Sequence, residues 1–154
     1  MIAQYSEVFY AAASDSSMVS PVLATVAYFV LAIAILGVAF LVQDILTPGD
    51  LRRQTFVEHL PNAGVMVGAQ VIAIGLVVAT AIATTEPDLA SGLIHVTVYS
   101  LVGLFLQSLF LVLMEVLVPG RFRDLINDPK LRSSAVVTGV ALVVVGAINA
   151  VCLT

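Results

Sequence analysis

Apolar residues fill four long stretches of this chain, and polar residues gather between them. The stretches run roughly 21–43 (PVLATVAYFVLAIAILGVAFLVQ), 61–85 (PNAGVMVGAQVIAIGLVVATAIATT), 89–114 (LASGLIHVTVYSLVGLFLQSLFLVLM) and 133–154 (SSAVVTGVALVVVGAINAVCLT). Each supplies the ~20 residues an α-helix needs to cross about 30 Å of hydrocarbon. Valine and isoleucine are abundant, yet the stretches are not strands. Backbone polar groups in lipid must be satisfied inside the element or inside a closed barrel. These stretches lack a barrel's alternation of polar and apolar positions and are longer than its strands. The pattern predicts an all-α integral membrane protein with four transmembrane helices.

Composition supports that reading. Of the 154 residues, 60% are hydrophobic and 10% charged, against about 25% charged in an ordinary soluble domain. A soluble chain of this length could not bury so much apolar surface. With no tryptophan, interfacial anchoring falls to Tyr5, Tyr10, Tyr28 and Tyr99. A net charge of -4 gives no support to nucleic-acid binding. The lone Cys152 cannot form an internal disulfide and reads as a small hydrophobe. The N-terminus, MIAQYSEVFYAAASDSS, has no positive leader and carries Glu7, unlike a signal peptide.

The basic residues set an expected orientation. Arg52 and Arg53 lie between the first two stretches; Arg121, Arg123, Lys130 and Arg132 lie between the last two. Residues 1–20 and 86–91 have none. The positive-inside rule then puts both basic loops in the cytoplasm and both termini outside.

The two halves of the chain align without a gap at an offset of 71 residues. Asp44-Ile-Leu-Thr-Pro-Gly-Asp-Leu-Arg52 meets Glu115-Val-Leu-Val-Pro-Gly-Arg-Phe-Arg123. Tyr28 meets Tyr99, Gly68 meets Gly139, and Gly75 meets Gly146. Ten of sixty positions are identical between 24–83 and 95–154, and the matches cluster at the Pro-Gly corner. The expected organisation is an extracytoplasmic tail or short surface helix over 1–20, a first two-helix repeat over 21–88 and a second over 89–154. Two helices per unit make the repeats parallel rather than inverted.

The corners Pro48-Gly49 and Pro119-Gly120 have a mechanical reading. Proline ends the preceding helix and glycine permits the turn. Thr47 could cap a following helix with Pro48 in its first position. Phe122, Leu125 and Ile126 form an apolar stripe that suggests a short helix along the inner leaflet. Asp128-Pro129 reads as a second cap and helix start leading into the fourth span.

The pattern of Asp44, Leu46-Thr47-Pro48-Gly49, a short polar loop and Asn62-Ala63 opening the next helix resembles the bacterial DUF350 family, also called UPF0719 or YjfL-like membrane proteins. The resemblance covers about 22–154. It implies the same duplicated unit and a multi-pass protein of the bacterial plasma membrane. It implies no activity, substrate, cofactor or catalytic residue. The second half departs from the pattern, with Val118 in place of Thr47 and Ser133-Ser134 in place of Asn62-Ala63.

Asp44 and Glu115, at equivalent helix ends, are the first candidate site residues. Acids embedded in a membrane are costly and often functional, binding a cation or passing a proton. The alternative is headgroup-level pairing with Arg52, Arg53, Arg121 or Arg123. His95 either titrates near neutral pH or bonds a neighbouring helix. Gln70, Gln107 and Asn149 either glue helices together or line a polar path with Tyr28 and Tyr99. Gly64-Val-Met-Val-Gly68 has the spacing of a close-packing motif, and helices two and four are expected near the centre. No metal, cofactor or catalytic pattern stands out.

The expected partners are the lipid bilayer and other membrane proteins or copies of the chain itself. The leading expectation for function is a non-catalytic structural or accessory subunit of a larger bacterial membrane complex. The alternative is a small ion or solute channel or transporter acting as an oligomer.

Overall fold

In the computed structural model the described residues are 16–47, 51–85, 88–117 and 122–153. The helices are α1 (Ser16–Leu46), α2 (Leu51–Phe56), α3 (Pro61–Ala83), α4 (Leu89–Leu117), α5 (Phe122–Ile126) and α6 (Ser133–Val151), with no strand among the described residues. Four are long and apolar enough to cross a membrane: 21–46, 61–83, 89–117 and 133–151. The chain is therefore a four-span α-helical membrane protein. The shortest span, α6, has 19 residues, which at 1.5 Å each makes about 28 Å. That is just enough to cross the hydrocarbon layer.

Several boundaries differ from the expectation. Helix α1 begins at Ser16, so Pro21 lies inside it. The hydrogen bond that Pro21 cannot donate falls near the helix end, where its loss costs least. The third span continues three residues past Met114, to Leu117. Residues 1–15, and with them most of the proposed surface helix, lie outside the described residues, as do Pro48, Gly49, Pro119 and Gly120. Helix α2 opens at Leu51, and Thr47 donates its backbone N–H to Gln43 at 2.9 Å, prolonging α1.

Helix α3 is the hub. It packs against every other helix, and against α6 most extensively. Half of its span is buried, against 11% for α1. The α3–α6 seam is close because α6 contributes glycines. A Cβ on Gly146 would lie 2.6 Å from the Ala73 Cα, and one on Gly139 would lie 2.9 Å from the Val65 Cγ1. The Gly64-xxx-Gly68 motif plays no part in this, because a Cβ on Gly64, Gly68 or Gly75 would meet nothing within 4 Å. The residues of α3 that face Gly139 and Gly146 are Val65, Ala69 and Ala73.

The short helices α2 and α5 seal the basic end. Leu51 and Ile126 are fully buried in one cluster with Ala63, Met66, Leu111 and Leu142. Inside lipid an apolar side chain gains little by turning inward. At the aqueous boundary it escapes water, which stabilises by about 1.5–3 kcal/mol per large side chain. These helices are thus plugs as well as surface elements. After α2, His59 takes a left-handed backbone (φ 52°) that reverses the chain into α3.

Candidate functional site

The polar groups inside the bundle fall into three levels. At the basic end, Asn62 occupies the second position of α3, directly after Pro61. Its side chain is fully buried. The amide nitrogen faces three backbone carbonyls of the opposite loop: Leu125 and Asp128 at 3.0 Å and Lys130 at 2.9 Å. The amide oxygen accepts the backbone N–H of Arg132 at 2.8 Å. One side chain thereby ties the start of α3 to the segment that enters α6. Beside it Gln54 donates to the Asn127 side chain at 2.6 Å, joining the two basic loops a second time.

Asp128 does not start a helix. Helix α6 begins at Ser133, with no side-chain cap. The Asp128 carboxylate instead accepts the Lys130 N–H at 2.8 Å and the Arg132 Nε at 2.6 Å, with an ion pair to the same guanidinium. The Lys130 backbone bond, then the Arg132 bond, hold its carboxyl below the usual aspartate value. At the other end of the bundle Asp88 is lowered in the same way by the Ser91 backbone N–H, which it accepts at 2.9 Å.

Asp44 and Glu115 are half-buried, each two residues before the end of its helix. Asp44 accepts the Arg52 backbone N–H at 3.3 Å. Among the described residues Arg53 pairs with Glu58 at 3.0 Å. The side chains of Arg121 and Arg123 lie outside the described residues. No hydrogen bond joins Asp44 to Glu115.

In the middle level amides cross between helices. Gln107 on α4 donates to the Leu142 carbonyl of α6 at 2.8 Å, and Asn149 on α6 donates to the Gly103 carbonyl of α4 at 3.0 Å. Gln43 on α1 donates to the Met66 carbonyl of α3 at 3.3 Å. Gln70 is buried in the same interior. The side-chain oxygens of Gln43, Gln70 and Gln107 are buried and meet no hydrogen-bond partner among the described residues. An unsatisfied buried acceptor costs about 1–3 kcal/mol.

At the far level the Tyr28 hydroxyl sits over Gly92, beside Thr85. His95 stacks on Tyr99 with ring centroids 4.3 Å apart. Tyr28 is half-buried and Tyr99 exposed, so two positions equivalent by sequence have different surroundings. The His95 Nε2 and the Thr85 Oγ1 are buried without a partner among the described residues.

Sequence reasoning missed Gln43, Gln54 and Ser100. Gln43 closes an apolar run and looks like its polar boundary. Gln54 looks like loop polarity, and one serine in an apolar helix carries no spacing signal. Among the described residues no three His, Cys, Asp or Glu come together as metal ligands would.

Comparison with known proteins matches residues 17–153 to the family described as Domain of Unknown Function (DUF350). A UPF0719 transmembrane protein of Mycolicibacterium paratuberculosis is 39% identical over 127 residues, 82% of this chain and 84% of that protein. UPF0719 transmembrane proteins of Mycobacterium bovis and Mycobacterium tuberculosis are each 40% identical over 133 residues, 86% of this chain and 88% of theirs. No solved structure matches the chain significantly.

Proposed function

The chain belongs to the DUF350 family, and on that premise we propose that it is a non-catalytic structural or accessory subunit of a larger bacterial membrane complex. The observation that carries this reading is the free face of α3. Gly64, Gly68 and Gly75 recur along it, and a Cβ on any of them would meet nothing within 4 Å. Small residues at such spacing let a second helix bring its backbone close. The interior amides support the same reading, since Gln43, Gln107 and Asn149 each bond a backbone carbonyl of another helix. Both basic loops face the cytoplasm and both termini the outside, following the arginines and Lys130.

Gentle extraction followed by native electrophoresis and mass spectrometry tests the role. The expected result is co-migration with larger membrane proteins in fixed ratio, lost on Gly68→Val. A symmetric assembly of this chain alone would sink it.

One observation favours a second reading, a small ion or solute path. The buried oxygens of Gln43, Gln70 and Gln107 lack protein partners among the described residues. Proton or cation flux into liposomes, compared with Asp44→Asn and Glu115→Gln, tests it. Flux equal to that of empty liposomes excludes the path.

A further inference from the structure

Hydroxyls along the spans commonly bond their own helix. Thr25, Thr84, Thr97, Ser108 and Thr138 each donate to the carbonyl four residues earlier, at 2.7 to 3.0 Å. Ser100 is fully buried yet makes no such bond, and its Oγ has no partner among the described residues. The amides show the same division. Gln43 and Gln107 spend their NH2 groups on neighbouring carbonyls, which fixes their orientation and leaves their oxygens over.

These left-over atoms fall into a sequence along the bundle. A Cβ on Gly103 would lie 2.5 Å from the Val77 Cγ1, which sets the antiparallel register of α3 and α4. In that register His95 and Ser100 lie toward the Thr85 end of α3. Gln107 follows near the middle, and Gln70 comes about one turn further on. Gln43 is bonded at Met66, one turn beyond Gln70. Along α4 the steps from 95 to 100 to 107 are about 7.5 and 10.5 Å at 1.5 Å per residue. Asn149 and the Gly103 carbonyl break the longer step. His95 also stands about 140° around α4 from Ser100, and the tight Gly103–Val77 contact closes the space between Ser100 and Gln107, so the orphaned atoms within about one turn of each other are those of Gln107, Gln70 and Gln43.

The chemistry of the set names its ligand. The three amide oxygens can only accept. Water donates twice and accepts twice, and buried waters typically satisfy about three such groups. We propose that a short file of bound water fills the interior between α1, α3, α4 and α6 at Gln107, Gln70 and Gln43. The file is a binding site in its own right, and it rests on neither functional reading above. A packing subunit uses it to satisfy its amides, and an ion path would use it as a conduit.

Radiolytic hydroxyl labelling in 18O water tests the file, with the full chain in lipid nanodiscs. Leu142 is fully buried beside the Gln107 bond, while Leu106 faces lipid at 44% exposure. Same-residue comparison cancels intrinsic reactivity. Bound water produces hydroxyl radical on the spot, so Leu142 should take up 18O at least about threefold faster than Leu106. Gln107→Met and Gln70→Met should each lower that labelling and lower the melting temperature. Equal or slower labelling of Leu142 overturns the proposal. So does a rise in melting temperature for Gln70→Met, which is what removing a dry, orphaned oxygen would give. Replacing sodium and potassium with choline should change neither readout; a loss of stability in choline would assign the oxygens to a cation and overturn the water file.

Discussion

The Asn62 side chain accepts the Arg132 backbone N–H at 2.8 Å while its own NH2 faces the carbonyls of Leu125, Asp128 and Lys130. Residues 63 to 70 positions apart are thus held by a single buried amide. Asn62→Ala leaves that N–H and those carbonyls without it, at a cost of about 2–3 kcal/mol. Asn62→Asp should cost more, because it replaces a donor with an acceptor that faces three carbonyl oxygens. Thermal unfolding in detergent should rank the stabilities wild type, then Ala, then Asp. An Ala variant as stable as wild type would show that the clamp does not hold the basic end together.

How much of this was legible in the sequence depends on the range of the interaction. The four spans follow from the length of the apolar runs, and the short helices after them from the Pro-Gly corners and the Phe122–Ile126 stripe. The inner faces were not legible. A helix apolar on every side has no period that marks its buried stripe, so Gly64, Gly68, Gly75, Gly139 and Gly146 all read alike as close-packing residues, and of these Gly139 and Gly146 make the close contacts. Asn62 was visible as a corner residue, but its partners lie in the other half of the chain. Asp128-Pro129 has the local form of a helix start. It loses that role because the Lys130 N–H and the Arg132 side chain take its carboxylate first.

The Asp128 carboxylate gives the basic loop a pH dependence with a definite sign. Its folded pKa lies below the ordinary 3.8, through the Lys130 backbone bond first and the Arg132 bond second. A depressed pKa means that the stabilisation is complete above the unfolded value and disappears as pH falls through the folded one. The loop should therefore hold at neutral pH and loosen only in strong acid. Amide exchange at Arg132 should rise below about pH 4 in wild type. In Asp128→Asn it should already be raised at neutral pH and change little on acidification. Wild-type exchange that begins to rise near pH 6 would point to a different group.

Cys152 is the chain's one cysteine and is exposed at the end of α6. It therefore reports the orientation without any engineering. On the proposed orientation, which puts both basic loops in the cytoplasm, a membrane-impermeant maleimide should label Cys152 in intact cells. A cysteine placed at the exposed Glu58 should react only after permeabilisation. The reverse pattern would invert the topology.

Identical glycine-to-alanine changes should act oppositely on the two sides of the α3–α6 pair. At Gly146 the new methyl would lie 2.5 Å from the Ala73 Cβ and 2.6 Å from its Cα, so backbone must move. Overpacking of this kind costs about 1–3 kcal/mol. At Gly68 the methyl meets nothing within 4 Å. Losing a helical glycine there should be neutral or stabilise by up to about 1 kcal/mol. Unfolding of the isolated chain separates the two. Similar losses at both positions would mean that the free face of α3 is covered by the chain itself.

Tyr28 and Gly92 couple α1 to α4 where the bundle is otherwise lightly tied. The phenol hydroxyl rests where a Gly92 Cβ would stand, and that Cβ would also lie 2.9 Å from the Thr85 Oγ1. Gly92→Ala should push the tyrosine away and loosen α1, which has little of its span buried. Removing the hydroxyl relieves the main collision, leaving the Tyr28 Cζ at 3.3 Å, a distance that a small shift accommodates. A double-mutant cycle of Gly92→Ala with Tyr28→Phe should therefore be non-additive. The second change should recover about 1 kcal/mol of what the first loses. Strict additivity would mean that the Thr85 hydroxyl, not the tyrosine, is the group in the way. Thr85→Ala in the Gly92→Ala background would then restore stability where Tyr28→Phe does not.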